Sequence, residues 1–405
     1  MTSAVPTDFR STTPPGSSVA SKSTVPRKVL HVIPALAGGG AERALRNLAR
    51  TMAGTHWQTV IVVFRAAEHK ALADELRALG CVIHDLDEPA LMNPRVWYKT
   101  WRLMMKERPD VVQTWMHHAD FIGGVAAWIA GITRVVWGIR AGVIWKNPED
   151  GLFKTSLFHG ALRFASWFMP CRIVGNSDTA LKLHEQMGYP PHKFTFIPNG
   201  IDADRFSPSK EHRKKLRTTL GIPESARVIG FVGRFHPLKE LERAFAICGA
   251  LQREDSDVHL VLCGGDESKL YPEAREAFQA MPMPHQVHFM PFQGEMEKVY
   301  PAFDLLLMCS GNAEAFPNVL LEAMACGVPV VATAGGDARA IVADAGRVVE
   351  IGDNQALLQA CVETLQLSDS AREQQLQRAR ERAVNEYTLQ KAAERFIEVY
   401  EEVAR

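Results

Sequence analysis

Two glutamates, one on a loop and one in the helix after it, are the residues of this chain best placed to do chemistry. Residues 311 to 333 read Gly-Asn-Ala-Glu-Ala-Phe-Pro-Asn-Val-Leu-Leu-Glu-Ala-Met-Ala-Cys-Gly-Val-Pro-Val-Val-Ala-Thr. An apolar run closes near Cys309, a polar loop carries Glu314, and a helix opens at Pro317, whose missing N–H loses nothing in a first turn. A strand–loop–helix unit aims unpaired backbone N–H groups and the positive end of the helix dipole at the loop, where a phosphate would sit. Glu314 stands before that helix, and Glu322 lies about one and a half turns into it at ~3.6 residues per turn. The two carboxylates therefore reach groups attached at opposite ends of the phosphates, which suits a sugar at one end and a ribose at the other. Glutamates eight apart are common, and alone they read as a solvated loop residue and a helix-surface residue. Glu322, however, sits among Val319, Leu320, Leu321, Ala323, Met324 and Ala325, and a carboxylate buried in such company needs a partner.

Further candidates fall where apolar runs end. After Arg227–Val232 comes Gly233-Arg234-Phe235-His236-Pro237-Leu238-Lys239. Around one turn Arg234 and Lys239 can clamp a diphosphate, the first as a fork and the second as a point charge, although a lone pair of this kind is usually solvated surface. The first run ends in Ile33-Pro34-Ala35-Leu36-Ala37, and Gly38-Gly39-Gly40-Ala41-Glu42-Arg43 then starts a helix. Three glycines allow close backbone approach to a ligand, and a plain tight turn is the alternative. The spacing is not G-x-G-x-x-G, so nothing suggests a nicotinamide cofactor. Trp115-Met116-His117-His118-Ala119-Asp120 comes directly after Asp110–Thr114. A neutral imidazole there could hydrogen-bond a sugar hydroxyl or steady charge developing at the sugar, a satisfied loop histidine being the mundane reading. Arg140, closing Val135–Ile139, is a candidate for acceptor or phosphate contact. Asn176-Ser177 reads as a helix N-cap and Asn199-Gly200-Ile201-Asp202 as a turn. No metal-binding carboxylate cluster is evident, and a divalent ion is not expected.

These motifs require strands and helices in alternation, and the chain supplies them twice. Short β-branched runs at Lys28–Ile33, Thr59–Phe64, Cys81–Leu86, Asp110–Thr114, Arg134–Ile139, Cys171–Gly175 and Phe194–Pro198 alternate with helix-period segments. The pattern restarts at Arg227–Val232 and runs to Arg347–Glu350. Alternation of this kind means parallel sheets wrapped by helices, and 405 residues suffice for two such domains facing across a cleft. Residues 1–26 are Ser/Thr/Pro-rich and read as a disordered tail, 27–198 as the first domain, 199–224 as a linker, 225–386 as the second domain, and 387–405 as a helix returning to the first. Lys plus Arg equals Asp plus Glu at 46 each, so no global field draws the chain to nucleic acid. Seven scattered cysteines without a C-x-x-C spacing argue against a zinc site or disulfide scaffold and for a reducing, cytoplasmic setting. The longest apolar run, Phe121 to Ile132, is too short for the ~20 residues that cross a bilayer. Aromatic stripes edged with Arg and Lys at Arg95–Lys106, with Trp97 and Trp101, and at Leu152–Phe168 either face a core or rest on a membrane surface.

The stretch from Glu314 to Thr333 resembles the signature of the retaining glycosyltransferases of family 4: a Glu, then Phe, a small residue or proline, a helix with a second Glu, and Ala-Met-Ala-x-Gly-x-Pro-Val-Val-Ala-Thr. The resemblance covers roughly residues 28 to 404 and implies the GT-B fold, two Rossmann-like domains facing across a cleft. It implies transfer of a hexose from a nucleotide-diphosphate sugar, a UDP- or GDP-sugar, to a glycan or lipid-linked acceptor with the α configuration retained, as in surface polysaccharide or lipopolysaccharide synthesis. Such relatives work at the inner face of the cytoplasmic membrane and need no cofactor. By resemblance Gly39 and Gly40 lie near the donor phosphates and the acceptor, and Arg234 and Lys239 match a Gly-Arg…Lys motif. Phe316, Pro317, Asn318, Val319 and Glu322 fall in the donor site. The family places a histidine at a strand end facing the donor sugar, which points to His118, with His117 as the alternate, acting alongside Glu314. One departure is Glu240, where a glycine or small polar residue is commoner, and it leaves the shape of that turn open. A GT-B epimerase or phosphorylase lacks support, since no hydride-cofactor motif or pyridoxal-phosphate lysine site is evident. A non-catalytic nucleotide-sugar scaffold would not need Glu314 and His118 together.

Overall fold

The computed structural model describes residues 26–36, 39–65, 70–88, 93–140, 151–291, 294–311 and 314–405, without the side chains of 151–155. The tail expected at the start of the chain lies outside the described residues, apart from its last residue. In the first domain the strands are β1 (Arg27–Ile33), β2 (Trp57–Val63), β3 (Val82–Asp85), β4 (Val111–Thr114), β5 (Val135–Ile139), β6 (Arg172–Gly175) and β7 (Phe194–Phe196). Among them run helices α1 (Gly40–Met52), α2 (Lys70–Ala78), α3 (Pro94–Glu107), α4 (His117–Ile129), α5 (Gly151–Phe168) and α6 (Asp178–Gln186). The sheet is parallel in the order β3-β2-β1-β4-β5-β6-β7.

The second domain carries strands β8 (Arg227–Val232), β9 (Val258–Cys263), β10 (Val287–Met290), β11 (Leu305–Met308), β12 (Val330–Thr333) and β13 (Arg347–Val349). Its parallel order is β10-β9-β8-β11-β12-β13. Its helices are α7 (Lys210–Leu220), α8 (Leu241–Glu254), α9 (Pro272–Gln279), α10 (Asn318–Ala325), α11 (Ala338–Val342), α12 (Asn354–Leu365) and α13 (Asp369–Glu386), with α14 (Leu389–Val403) last in the chain. Central strands such as β4, β9 and β11 are buried along their whole length, because helices cover both faces and leave no polar side for alternation.

One stretch differs from the sequence-based expectation, and one stripe left open between core and membrane surface is resolved. Residues 199–224 are not a bare linker, since α7 lies within them. That helix is very polar, and its attachment is non-local: Arg217, 1% exposed, donates to the carbonyls of Ala302 and Ala226 and pairs with Asp304 at 2.7 Å. The stripe on α3 is a core face. Trp97 and Trp101 pack against the apolar cluster of the first sheet, and Trp97 meets the ring of Phe121 edge-on at 5.6 Å. The outward apolar face lies on α5 instead, where Leu157, Phe164, Trp167 and Phe168 are exposed, beside Trp128 and Ile129 at the end of α4. Among the described residues no helix is long and apolar enough to cross a membrane.

Two chain crossings join the domains side by side. Ile201 N–H donates to Tyr387 O at 2.7 Å, and Leu389 N–H returns to Ile201 O at 3.3 Å. The second crossing delivers α14 onto the first domain, where Ala393, Phe396, Val399 and Tyr400 enter the cluster of Leu45, Trp57 and Trp115. Glu401 accepts from Trp57 Nε1 at 3.0 Å and pairs with Arg27 at 2.5 Å.

Candidate active site

Both sheets reverse their strand order at one point, β1 between β2 and β4, β8 between β9 and β11. Connections leave the carboxyl ends of those neighbours in opposite directions and open a crevice there. The crevices of the two domains face each other and enclose a cavity of about 260 Å³. Gly40, Arg43 and Arg140 reach it from the first domain, and Arg234, Asn318 and Glu322 from the second. A Cβ on Gly40 would lie 3.9 Å from Asn318 Nδ2, so α1 and α10 present their N-termini to each other across the space. Each N-terminus contributes unpaired N–H groups and partial positive charge. Arg234, exposed on the loop after β8, lines the same cavity and makes no ion pair with another described residue. Close contact between that loop and the end of β9 depends on Gly264, at φ +138, where a Cβ would stand 2.1 Å from Gly233 O.

The burial expected of Glu322 is found, together with its partners. The carboxylate is 7% exposed, accepts from Tyr300 Oη at 2.7 Å, and pairs with Arg43 Nη1 of the opposite domain at 3.1 Å. Burial, then the neighbouring carboxylate, pushes the Tyr300 phenol well above its usual range, so Tyr300 is the donor in that bond. Neither partner was identified from the sequence. Arg43 left a signal, because a cation in the first turn of a helix opposes the dipole and implies an anion close by. Tyr300, which opens the short 3-10 turn Tyr300–Ala302 before β11, left none.

Lys239 and Glu314, assigned separate roles on the sequence, form an ion pair with each other. Gly233, on the cavity wall, would place a Cβ 3.7 Å from the Lys239 side chain, which puts the pair beside the cavity. The turn left open at Glu240 is left-handed, with φ 50 and ψ 51, and the Glu240 carboxylate pairs with Arg243 Nε at 2.5 Å. A glycine would adopt that conformation without strain, and glutamate holds it at a cost of roughly 1 kcal/mol. Burial raises the Glu240 pKa. Of the other expected donor residues, Asn318 and Val319 line the cavity, while Phe316 is 6% exposed and packs on Tyr387 within the second-domain core. Pro317 caps α10 as the residue before its first turn. Gly39 holds the same place before α1, where a Cβ would meet the Glu42 carboxylate at 2.7 Å.

The histidines stand at the start of α4, after Met116 at φ 72. His117 Nε2 lies 3.0 Å from His184 Nε2, and burial, with His184 next, lowers its pKa to about 3. It is a neutral imidazole. His118 is exposed and stacks on Phe158 of α5 with ring centroids 5.1 Å apart. Neither histidine is among the residues lining the cavity. Arg140 is. Its Nη1 donates to Asn199 at 2.8 Å, its guanidinium lies over Trp115 at 4.6 Å, and its Nε and Nη2 have no partner among the described residues. Burial pulls its pKa down to about 10, which leaves it charged at neutral pH. Asn199 in turn donates to Asn318 at 3.0 Å and ties the cavity's two walls together. Among the described residues no group of three His, Cys, Asp or Glu side chains has the geometry to hold a metal.

Residues 38–205 match the Glycosyltransferase Family 4 profile, and residues 226–367 match the Glycosyl transferases group 1 profile, so the boundary between the two falls at the crossing between the domains. The chain belongs to the family 4, group 1 glycosyltransferases. It is 28% identical over 393 residues to the D-inositol 3-phosphate glycosyltransferase of Corynebacterium urealyticum, covering 89% of this chain and 90% of the relative. Among solved structures, HepE from Anabaena in complex with UDP-glucose superposes with a TM-score of 0.77 at 21% identity, over 93% of this chain and 99% of that one. WaaG, a glycosyltransferase involved in lipopolysaccharide biosynthesis, superposes at 0.69 and 18% identity, over 92% and 99%. At such identities the likeness establishes the GT-B fold of this glycosyltransferase.

Proposed function

We propose that this glycosyltransferase moves a hexose from a UDP- or GDP-sugar to a hydroxyl of a lipid-linked or oligosaccharide acceptor, with retention of configuration, in surface polysaccharide or lipopolysaccharide assembly. The observation that carries this reading is the convergence of two helix N-termini and Arg234 on one cavity, with the Lys239–Glu314 pair beside it. That is a site for a diphosphate with a sugar on one side and a nucleoside on the other. The complex of HepE with UDP-glucose supports the donor class, and the role of WaaG supports the pathway.

Arg234, Lys239 and the helix N–H groups bind the diphosphate and take up the charge that grows on it as the sugar–phosphate bond breaks. The acceptor oxygen forms the new bond to the anomeric carbon on the face the diphosphate leaves, and its proton passes to the departing phosphate oxygen. Glu314 orients the sugar hydroxyls. His118, open to solvent at the end of β4, is the imidazole assigned to the sugar, while Glu322 holds the ribose. The exposed face of α5 rests on the inner surface of the cytoplasmic membrane and brings the first domain to a lipid-linked acceptor. Nucleotide release from a panel of UDP- and GDP-sugars, measured with and without lipid-linked acceptor, tests the reading, with the anomeric configuration of the product read by NMR. An inverted product would overturn retention. Acceptor-independent binding of every donor without release would overturn catalysis.

A further inference from the structure

We propose that Asp337 is a positioning residue that latches the first domain to the second and couples their closure to the placement of Glu314, a role in transfer that rests on the function proposed above. Asp337 lies after β12 in the second domain and is 5% exposed. Its carboxylate is engaged by the first domain. Oδ1 accepts from Ser177 Oγ at 3.0 Å and Thr179 N–H at 3.0 Å, and Oδ2 accepts from Asp178 N–H at 2.9 Å. Ser177 is itself fully buried and caps α6 by accepting from Ala180 N–H at 3.1 Å. The second domain thus sets a negative charge on the positive end of a first-domain helix, with three hydrogen bonds to ionised oxygen, the stronger kind.

The backbone of the same residue faces the catalytic loop. Asp337 N–H donates to Ala315 O at 2.9 Å, and Gly336, at φ +58, would place a Cβ 2.2 Å from that oxygen, so the two strand ends meet backbone to backbone. Ala315 is next to Glu314 in the chain and is buried in the apolar cluster of the first domain, with Ala119 of α4 and Ala180 of α6. Parting the domains breaks the three bonds to α6 together and draws Ala315 out of that cluster. The Glu314 loop then keeps its hold on Asp337 and loses its seat. The interdomain ion pair Arg43–Glu322 has an arginine side chain 43% exposed and is too well solvated to hold the domains shut alone.

The test compares wild type, Asp337→Asn and Asp337→Ala by small-angle X-ray scattering without ligand and by steady-state transfer kinetics. The alanine variant is expected to scatter with a larger radius of gyration and to lose about tenfold or more in kcat, the equivalent of ~1.4 kcal/mol, with a smaller change in donor KM. The asparagine variant, which keeps one acceptor oxygen, falls between on both measures. Wild-type scattering from the alanine variant overturns the latch, whatever its kcat. If circular dichroism shows that the alanine variant is unfolded, the asparagine variant decides, and wild-type values for both its scattering and its kcat overturn the proposal. Because scattering needs no substrate, a chain inactive on every donor would sink the proposed transfer while leaving the latch to be judged separately.

Discussion

Replacing Tyr300 by phenylalanine removes one oxygen and leaves nearly everything else in place. The ring is fully buried and packs on Phe206 and Phe303 at centroid distances of 6.2 and 6.0 Å, contacts that phenylalanine keeps. What disappears is the 2.7 Å bond to Glu322, whose other oxygen has only the half-exposed Arg43 at 3.1 Å. A hydrogen bond to a buried carboxylate contributes about 1.5–3 kcal/mol, whereas an ion pair with a half-exposed arginine contributes below ~1 kcal/mol. The second domain should therefore lose about 1.5–3 kcal/mol of stability. Donor KM should rise roughly three- to tenfold as Glu322 drifts from the ribose, and kcat should change less because the ribose is remote from the bond that breaks. All eight tryptophans lie at or before residue 167, so their fluorescence reports on the first domain, and urea unfolding of the second is read by circular dichroism. Donor KM comes from nucleotide release. A destabilised variant with unchanged KM would make Glu322 purely structural, and a variant unchanged in both would refute the bond itself.

Arg234→Ala and Lys239→Ala should each cost roughly 2–4 kcal/mol of transition-state stabilisation in kcat/KM, and near-wild-type transfer by either would remove that residue from the diphosphate site. Since Lys239 pairs with Glu314, the double variant Lys239→Ala/Glu314→Gln should lose less than the sum of the single losses, and strict additivity would contradict the pairing. Burial pushes the Asp120 carboxyl from 3.8 up to about 7, against the bonds from Thr114 and Gly138. The folded chain holds that proton more tightly than the unfolded one, so the stabilisation is complete below about pH 4 and is lost as pH rises through about 7. Asp120→Asn should accordingly gain on wild type in melting temperature between pH 5 and 8, and a difference that stays flat with pH would refute it. Phe164→Ser/Phe168→Ser should abolish salt-sensitive flotation with anionic vesicles while Trp97→Ala/Trp101→Ala disturbs folding, and flotation that survives loss of both phenylalanines would move the membrane face off α5.

The parallel sheets were legible in the sequence because strands covered on both faces are written as short, near-continuous apolar runs, as β9 and β11 are. Glu322 was legible because its apolar neighbours made a solvated carboxylate implausible. The partners were not, since Arg43 stands 279 residues earlier and no local pattern links it to Glu322. The stripe on α3 shows the same limit from the other side. Periodicity reports that a helix has an apolar face and says nothing of what covers it, so Trp97 and Trp101 could be noted but not placed. On α5 one face packs inward and a second apolar face does not, which a single stripe cannot convey. Helix α7 was missed because it is so polar, and it is held by Arg217 and Asp304, a pairing visible only after folding. The shape of the turn at Glu240 stayed open on the sequence because the glycine that would signal a left-handed residue is absent there.

The return of α14 to the first domain has a consequence for how the protein is made. The apolar groove around Leu45, Trp57 and Trp115 is closed by Phe396 and Tyr400, yet β7, the last strand of that domain, ends at Phe196. At ~5–20 residues per second, ribosomes need roughly 10–40 s to reach α14 after the sheet is complete. Through that interval the nascent first domain carries an open apolar groove, with the side chains of Trp57 and Gln113 waiting for Glu401 and Tyr400. Substitutions in α14 should therefore show themselves first as lost yield of soluble protein in the cell, before any effect on transfer becomes measurable.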